Sequence, residues 1–558
     1  MADRLGRRHL SAARATPGDN IASEVTAFGR FLLGLPSFLR ERMSPAQAEA
    51  ILADRLAHRA ANFLALVRRG VVDHPQSPYR ALLAEARCEY GDLERMIADH
   101  GLEPTLRRLH DAGVHLTFEE FKGRTPIVRN GREIPCTADD FSNPTHRRYF
   151  AVGSGGTTGP SRRARMDLMA MRGRMPHRVT FRAVHGIIDA PVARWQNIPP
   201  GNGLTHALMA IPAGERLERW FTSSVGGRDG TSSRFLYATE VAVAWARLTG
   251  APVRRPVFLP FDKAERLARW AHETARAEGT AVVRAPVSRL VRVAAAAIDA
   301  GLSLEGVIMA GGGEPPTPAK VAMVRRSGAR FIANYSFSEV GSVGSACLHS
   351  DDPNDQHFFQ DHLAVIQSSR TVPGFAVEVA AFCYTTLLPT AGKVLINVES
   401  DDYGVIDQRP CGCPWERLGY ATHLRGIRSF KKLTGEGITL VGSDVEQVID
   451  EVLPARFGGS PLDYQLEELE DERGFTQVVL RIAPHLPDVD EAAAVHLVLD
   501  ALRRIDAGGA SASNAWTQAG TLRVRREAPY VTARGKVMPL HSSRAASAPP
   551  AATRGVVT

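Results

Sequence analysis

The sequence predicts an α/β protein with a large N-terminal α/β domain and a small, hinged C-terminal α+β domain. At 558 residues, the chain is longer than one hydrophobic core usually serves. Between about 165 and 400, helical patterns alternate with short apolar runs, which is the order typical of α/β domains. A shorter set of strand and helix patterns then runs from about Arg428 to about Arg544. We therefore expect two or three domains.

The first part of the chain is predicted to be helical. After a loose leader of about 20 residues, apolar positions recur at helical spacing from about Ala22 to His110, as in "AEAILADRLAHRAANFLALVRRGV". The last residues, "AASAPPAATRGVVT", have low complexity and are expected to be disordered. The predicted units are a helical N-terminal region (1–120), an α/β domain (121–428), a mobile C-terminal α+β domain (429–544) and a disordered tail (545–558).

Individual elements of the two domains follow from local patterns. Strands are predicted for "YFAV", "PVFLPF", "GVIMAGG", "ARFIANYS" and "KVLINV". Helices are predicted for "KAERLARWAHETARAEG", "LVRVAAAAIDAG" and "TPAKVAMVRRSG". In the second domain, "GITLVGSDVEQVIDEVLP" indicates a strand and a helix, and "FTQVVLRIAP" indicates a further strand.

Composition and charge argue against several classes of protein. The net charge of +8 would suit a nucleic-acid binder, but the arginines are spread along the chain without a basic block. We therefore expect no nucleic-acid partner. The chain has no run of eighteen apolar residues, its N-terminus lacks the apolar core of a secretory signal, and six cysteines are too few for a disulfide framework. The expected location is a reducing cytoplasm, with no membrane partner.

A glycine-rich stretch, "VGSGGTTGPSRRARMD", occupies residues 152–167. It is neither a Walker motif nor a dinucleotide fingerprint. The hydroxyls of Ser154, Thr157 and Thr158 could donate to phosphate oxygens, and the four glycines among them allow the backbone amides to turn toward an anion. Taken alone, such a stretch is also typical of a plain connector.

Four further motifs follow in order along the chain. These are "AGGGEPP" (310–316), "NYSFSEVG" (334–341), "ESDDYG" (399–404) and "TARGKV" (532–537). The first three come directly after predicted strands. Loops at the ends of successive strands are where an α/β sheet builds its ligand site. The order of the motifs is therefore more informative than any one of them.

This order resembles the adenylate-forming superfamily of acyl- and aryl-CoA synthetases, nonribosomal adenylation domains and luciferases. The closer likeness is to the phenylacetate–CoA ligase branch and to the acyl-protein synthetases of bacterial luminescence. "GSGGTTGPS" is similar to the family's phosphate loop, "GGGEPP" to its nucleotide-base loop and "YSFSE" to its Tyr-x-x-Thr-Glu motif. "DDYG" resembles the ribose-binding aspartate region, and "IRSFKKLTGEGITLVGSDVEQVI" resembles the hinge region. "RGKV" resembles the late Gly-Lys. The likeness spans roughly 145–540.

The resemblance implies ATP and Mg²⁺ as cofactors and gives each matching residue a role. Glu339 would hold Mg²⁺, Arg428 would grip the phosphate or ribose near the hinge, and Lys536 would stabilise the developing negative charge. These three form the implied catalytic set. The implied ATP-binding set is Ser154, Gly155, Gly156, Thr157, Thr158, Gly159, Gly313, Glu314, Tyr335, Ser338, Asp402 and Arg428.

Within that set, Thr157 and Thr158 would contact the β- and γ-phosphates, and Gly313 and Glu314 would line the base pocket. Tyr335 would stack on adenine. Asp402 would accept both ribose hydroxyls, with Asp401 and Asp407 as alternatives.

Two departures from the family pattern bear on function. The phosphate loop usually ends in lysine, but here Arg162 or Arg163 must serve. The hinge aspartate is replaced by Phe430, which Lys431 and Lys432 follow. These changes leave open a second interpretation, in which the chain is a catalytically impaired nucleotide-binding scaffold of the same fold.

A second constellation consists of cysteines and histidines. "PCGCP" places Cys411 and Cys413 one residue apart, and the upstream segment supplies Cys347 and His357, with His349 as a substitute. Such a set can form a closed tetrahedral zinc site. Reduced, partly buried thiols are the simpler alternative. Cys88, Cys136 and Cys383 are expected to be structural.

The resemblance predicts ATP-dependent activation of a carboxylic acid as its acyl-adenylate, followed by acyl transfer. An aryl acid is favoured as the substrate. The acceptor is left open among CoA, a carrier-protein thiol, a protein cysteine and an amine. A homodimer is also left open. A zinc-dependent nucleic-acid binder is a third interpretation, but the chain lacks the clustered arginines and interleaved aromatic residues of that class.

Overall fold

The computed structural model describes most of the chain. The described residues are 17–146, 149–153, 163–224, 233–371, 378–429, 432–435, 438–441, 445, 447–486, 489–505, 507–531, 537 and 539–542. The phosphate-loop residues Ser154–Gly159 with Arg162, the hinge residues Phe430 and Lys431, Lys536 and the tail 545–558 lie outside them.

The N-terminal part of the chain contains seven described α-helices and a π-helical turn, Arg68–Val72. The α-helices are α1 (Pro17–Arg40), α2 (Pro45–Ala57), α3 (Arg59–Val67), α4 (Pro78–Glu85), α5 (Tyr90–His100), α6 (Leu102–Asp111) and α7 (Phe118–Phe121). Ser44 and Thr117 begin α2 and α7 as N-caps whose side chains accept from the third backbone amide of the helix. Two hairpins follow, β1 (Ile127–Arg129) with β2 (Arg132–Ile134) and β3 (Tyr149–Gly153) with β4 (Arg163–Asp167).

A twelve-stranded mixed sheet forms the centre of the molecule, in the order β13-β14-β15-β16-β12-β11-β10-β9-β8-β5-β6-β7. Strands β5 to β10 are parallel to one another, and β11 to β16 pair antiparallel. The parallel strands are β5 (Val192–Trp195), β6 (Leu217–Thr222), β7 (Pro256–Phe258), β8 (Ala281–Pro286), β9 (Val307–Gly312) and β10 (Arg330–Phe337).

The antiparallel strands are β11 (Gly341–Ala346), β12 (Asp355–Phe358), β13 (Leu363–Thr371), β14 (Glu378–Thr386), β15 (Val398–Gln408) and β16 (Thr422–Ser429). The accompanying helices are α8 (Leu168–Val184), α9 (Gly203–Ala210), α10 (Ser233–Leu248), α11 (Glu265–Glu278), α12 (Val287–Asp299), α13 (Pro318–Arg326) and α14 (Pro414–Arg417).

The C-terminal part has its own four-stranded sheet. A short hairpin, β17 (Lys432–Gly435) and β18 (Ile438–Val441), leads into it. The sheet order is β21-β20-β19-β22, with β19 (Tyr464–Glu470), β20 (Thr476–Ile482), β21 (Leu522–Arg525) and β22 (Leu540–Ser542). Its helices are α15 (Leu453–Phe457), α16 (Glu491–Ile505) and α17 (Ala507–Ala519). The structure therefore confirms the predicted α/β class with a small α+β unit.

The predicted strand "KVLINV" is wrong for most of its length, because β15 begins only at Val398. The backbone amides before it donate to side chains rather than to a neighbouring strand. Ile396 donates to the Tyr79 hydroxyl at 3.0 Å, and Asn397 donates to Thr385 Oγ1 at 2.9 Å. Asn397 also adopts a left-handed conformation with φ 50°. Apolar residues therefore mark this segment as buried but not as a strand.

The same asparagine connects the N-terminal helices to the sheet. Its buried side-chain amide donates to the carbonyl of Leu106 at 2.8 Å and to that of Val114 at 3.1 Å. The Leu116 amide donates to the Asn397 carbonyl at 3.2 Å, next to a parallel bridge from Leu116 to Val398. The N-terminal helices are therefore joined to the start of β15 by hydrogen bonds that solvent does not reach.

Candidate active site

Two of the predicted motifs lie at the carboxyl ends of β9 and β10, and a third lies on β15, which Tyr335 of β10 contacts through Asp402. Tyr335 lies near the end of β10, opposite Gly344 of β11. Its hydroxyl donates to Asp402 Oδ2 of β15 at 2.7 Å. Asp402 pairs in register with Ser429 of β16, and the Ser429 hydroxyl donates to Asp402 Oδ1. Three strands therefore position the Asp402 carboxylate.

Of the three candidate aspartates, Asp402 is the one whose carboxylate contacts Tyr335 among the described residues. Asp401 is completely buried and has φ 60°. Asp407 lies further along β15, where its carboxylate is 3.3 Å from the Arg425 guanidinium. Burial, followed by the negative charge of Asp402, raises the pKa of Tyr335 well above its ordinary value, so that Tyr335 remains a hydrogen-bond donor.

Glu339 lies in the turn after β10 and forms an ion pair with Lys122, just after the end of α7. Burial alone would raise the pKa of Glu339, but the positive charge and hydrogen bond of Lys122 outweigh it and lower the pKa to about 2. The carboxylate is therefore ionised at any working pH. Sequence analysis did not identify Lys122, which is 217 residues away in the chain.

A second cation close to this turn is Arg174 of α8. Its Nη2 donates to the carbonyl of Ser338 at 3.4 Å. Gly341 makes this approach possible, because a Cβ at that position would lie 2.7 Å from Arg174 Nε, and its φ is 87°. Lys122 and Arg174 thus place two positive charges beside the loop that carries Ser338 and Glu339.

Arg428 lies on β16 directly opposite Tyr403 of β15, one pair away from Asp402 and Ser429. Burial raises the pKa of the Tyr403 phenol, and the charge of Arg428 and its hydrogen bond to the phenol oppose that shift. Arg428 is therefore held against the same strand pair as Asp402.

Glu314, predicted to line the base pocket, has a buried carboxylate. Its carboxylate accepts from Ser288 Oγ at 2.6 Å and from Lys320 Nζ at 3.0 Å, and the side chains of Glu314 and Lys320 are both inaccessible to solvent. The side chain is therefore turned into the interior and does not line an open base pocket. At the neighbouring Gly313, a Cβ would meet no atom within 4 Å, so the space beside this residue is open.

We expect Lys320→Met to lower the free energy of unfolding by about 3–5 kcal/mol, because it leaves the buried Glu314 carboxylate without its countercharge. Urea titration followed by circular dichroism measures this change. The double variant Glu314→Leu with Lys320→Met should recover most of the loss. Equal destabilisation by the single and double variants would show that the charge is not the cause.

The predicted zinc ligands are brought together by the structure. The side-chain ligand atoms of Cys347, His357, Cys411 and Cys413 all lie within 4.8 Å of one another. His357 Nε2 is 2.9 Å from Cys413 Sγ and 3.6 Å from Cys411 Sγ. The His349 ring instead lies against the carbonyl of Cys411, with its Nδ1 at 2.9 Å. The geometry therefore favours His357 over His349.

Groups around this cluster hold its side chains in place. His357 Nδ1 is 2.6 Å from the Tyr420 carbonyl, which directs Nε2 at the thiols. The Glu416 carboxylate accepts from the Cys411 amide at 2.7 Å and from the Gly412 amide, and Gly412 has φ 72°. A hydrogen bond from Cys347, together with His357, lowers the pKa of Cys413.

A buried polar network that sequence analysis did not identify lies nearby. The Asp361 carboxylate is completely buried, and its Oδ1 is 2.7 Å from His177 Nε2. The same oxygen accepts from the Tyr420 hydroxyl at 3.0 Å. Because the Tyr420 carbonyl accepts from His357, the network adjoins the Cys/His cluster.

No helix in the described ranges is both long enough and apolar enough to cross a membrane.

No family model and no curated protein matches this chain. Solved structures do match, at low identity. One is the o-succinylbenzoate CoA synthetase MenE from Bacillus subtilis, which is 12% identical to this chain and has a TM-score of 0.40. The match covers 70% of this chain and 68% of MenE.

The amide bond synthetase Mcba from Marinactinospora thermotolerans is 13% identical to this chain, with a TM-score of 0.37. The match covers 88% of this chain and 97% of Mcba. An AMP-forming acyl-CoA synthetase-like protein from Dyadobacter fermentans matches with 12% identity, 71% and 88% covered, and a TM-score of 0.27. All three TM-scores are below 0.5, so a proposal for function must depend on the residues of this chain.

Proposed function

We propose that this chain is an adenylate-forming enzyme, which uses ATP and Mg²⁺ to activate a carboxylic acid as its acyl-adenylate and then transfers the acyl group. The observation that carries the proposal is the hydrogen bond between Tyr335 and Asp402, with Glu339 in the turn after β10 and Arg428 on β16 beside Asp402. These are the residues on which the motif resemblance depends. Tyr335 and Glu339 lie at the carboxyl end of a parallel strand, where an α/β sheet builds its nucleotide site.

The chemistry accounts for the charges around Glu339. The acid's carboxylate attacks the α-phosphorus of ATP, an acyl–phosphate bond forms, and pyrophosphate leaves. The protein must neutralise phosphate charge and align the two reactants. The ionised Glu339 carboxylate suits Mg²⁺, which supplies positive charge to phosphate oxygens when bound. Lys122 and Arg174 add fixed positive charge at the same turn.

Asp402 and Tyr335 are proposed to bind the nucleoside. Both Asp402 oxygens already accept one hydrogen bond each, from Ser429 and Tyr335. A carboxylate oxygen has further lone pairs, so Asp402 can still accept from ribose hydroxyls while its position stays fixed. The Tyr335 ring, half-buried at the end of β10, would lie against the adenine, and Arg428 would contact the phosphate or ribose.

An aryl acid is the favoured substrate, and CoA, a carrier-protein thiol or an amine is the proposed acceptor. The impaired-scaffold alternative is supported by the missing loop lysine and the altered hinge. The retention of Glu339, Asp402, Arg428 and Lys536 argues against it. Homodimerisation, the cytoplasmic location and the exact domain boundaries stay predictions.

The proposal is tested by measuring pyrophosphate release with Mg²⁺–ATP across a panel of aryl, fatty and amino acids. At least one acid should stimulate release well above the acid-free rate. Binding of ATP without release for any acid would favour the scaffold.

Lys536 lies outside the described residues, and its role depends on the motif alone. We expect Lys536→Ala to lower adenylate formation about 10²–10³-fold, because it removes a charge that stabilises the transition state. Transfer of the acyl group from supplied acyl-adenylate should be nearly unchanged. The matched control is Lys263→Ala, an exposed lysine outside the site. Loss of both half-reactions in Lys536→Ala would indicate a damaged domain instead.

We propose a structural zinc ion for Cys347, His357, Cys411 and Cys413. Three sulfur atoms and one imidazole nitrogen form a usual zinc donor set. The described residues fit this ion, because His357 is oriented by the Tyr420 carbonyl, and Cys347 and Cys413 are buried. The ion would tie β12 and the residue after β11 to the loop between β15 and β16.

A further inference from the structure

Helix α8 carries a stripe of arginines on one face, at Arg174, Arg178 and Arg182. Residues four apart share a helix face and are about 6 Å apart along the axis. Arg174 contacts the Ser338 carbonyl at the candidate active site, whereas Arg178 and Arg182 are buried. The stripe therefore leads from the active-site turn into the interior between α8 and the sheet.

The interior end of the stripe has an excess of positive charge. Glu215 pairs with Arg178 at 2.7 Å and with Arg194 of β5 at 2.8 Å. Arg182 donates to the carbonyls of Ala213 and Gly214 instead. Arg284 of β8 lies beside Arg194 in the strand register. We call Arg178, Arg182, Arg194 and Arg284 the arginine cluster. Within the described ranges, Glu215 is the one carboxylate that forms an ion pair with a member of this cluster.

Arg284 is the least satisfied member of the arginine cluster. Its Nε and Nη2 are buried and have no hydrogen-bond partner among the described residues. Its guanidinium lies 4.3 Å from the centre of the Phe181 ring, and burial together with Arg194 lowers its pKa well below the ordinary value. Arg284 and His206 nevertheless each keep some solvent-accessible surface, so the cluster is not completely sealed from solvent. A buried cation without a partner is costly, and an anion would remove that cost.

We propose that Arg284 and His206, supported by Arg178 and Arg194, bind an oxyanion carried by the acid substrate. This inference deepens the proposed function and rests on it: the substrate is then a dicarboxylic acid or a similarly doubly anionic acid. His206 is placed for this role by Arg178, whose Nη1 lies 3.1 Å from His206 Nδ1.

The strand register places Arg284 on the same sheet as the candidate active site. Arg284 is opposite Ala310 of β9, which in turn is opposite Ile332 of β10. β9 ends two residues later at Gly312, opposite Asn334, and Tyr335 follows. Two residues of parallel strand span about 6.6 Å. Arg284 therefore lies about two residues before the end of β9 and two strands, about 10 Å, across the sheet from β10.

The first test measures binding without ATP. Calorimetry would compare matched pairs, benzoate with isophthalate and hexanoate with adipate, and would include phosphate as a free oxyanion. The diacids should bind at least about 10-fold more tightly than the monoacids, which corresponds to one net charged contact. Arg284→Leu should abolish the preference, Arg284→Lys should keep part of it, and the exposed control Arg269→Leu should leave it unchanged.

The second test measures pyrophosphate release with the same acids, so that the two proposals can fail separately. Diacid binding that depends on Arg284, without pyrophosphate release, would support the anion site and overturn the proposed function. Release with monoacids and diacids alike, unchanged in Arg284→Leu, would overturn the anion site only. Phosphate binding through Arg284 with no diacid preference would also overturn the assignment to substrate. Circular dichroism of each variant establishes that it is folded.

Discussion

Replacing Glu339 with glutamine should lower the rate of pyrophosphate release about 10²–10³-fold, the loss typical of removing one charge-stabilising group from an active site. The amide keeps the size of the side chain but removes its negative charge. It can therefore neither pair with Lys122 nor hold Mg²⁺ as a carboxylate does. Release measured at saturating ATP across a Mg²⁺ series checks this, and the variant should need more Mg²⁺ to reach its lower maximum.

Two variants separate the metal role of Glu339 from its ion pair. Lys122→Met removes the partner and keeps the carboxylate, so Mg²⁺ dependence should persist. Glu265→Gln alters an exposed carboxylate that pairs with Arg269, and it should leave the rate unchanged. A Glu339→Gln enzyme with the wild-type rate and Mg²⁺ dependence would show that Glu339 does not hold the metal.

The Glu339–Lys122 ion pair also predicts the pH dependence of stability. The pKa of Glu339 is lowered to about 2 in the folded chain, against about 4.3 for an unperturbed glutamate. The contribution of the ion pair is therefore fully present above about pH 4.3 and is lost as the pH falls toward 2. Between these two pH values, the free energy of unfolding of Glu339→Gln should fall less steeply than that of the wild-type protein.

The second large effect is expected from the Cys/His cluster. Purified protein should contain about one zinc per chain, and Cys413→Ser should lose it, because Cys413 is buried and its sulfur is 2.9 Å from His357 Nε2. A ligand present at a thousand times its Kd stabilises a fold by about 4 kcal/mol, so we expect at least that loss in the free energy of unfolding. Elemental analysis and urea titration measure the two effects.

Two other residues serve as controls for the zinc site. Cys383→Ser changes a buried cysteine on β14, outside the cluster, and should retain zinc. His349→Ala should retain zinc as well, because His349 contacts the Cys411 carbonyl and not the sulfur atoms. Protein that was never exposed to chelator and contains no zinc would contradict the proposal, and so would Cys413→Ser with a full complement of zinc.

The α/β class was predictable because the relevant patterns are local. Alternating apolar runs and helical periodicity reflect the faces that each element buries. The strand predicted for "KVLINV" was wrong because an apolar run indicates burial but not the partners of the backbone. The amides of Ile396 and Asn397 donate to side chains from other parts of the chain, which the local sequence does not specify. The cysteine pair was a strong local signal, since Cys411 and Cys413 are separated by one residue.

The parts of the site that sequence analysis missed depend on tertiary contacts. Lys122 meets Glu339 only because α7 packs near the end of β10, and no motif includes it. The motif around Glu314 suggested a ligand-binding role, yet the carboxylate turns inward to Lys320 on the next helix. The buried arginines belong to α8, β5 and β8, which are far apart in the sequence. Their common location therefore follows only from the strand order of the sheet and could not be predicted from the sequence.

The hydrogen bonds of Asn397 have a consequence for synthesis of the chain on the ribosome. The Leu106 carbonyl and the Asn397 amide that donates to it are 291 residues apart. Translation at about 5–20 residues per second would separate their emergence by about 15–60 s. During that time the apolar residues of α6 lack the part of their hydrophobic cluster that the sheet supplies. The nascent N-terminal helices should therefore be a preferred binding site for chaperones, and slow translation before β15 should increase aggregation.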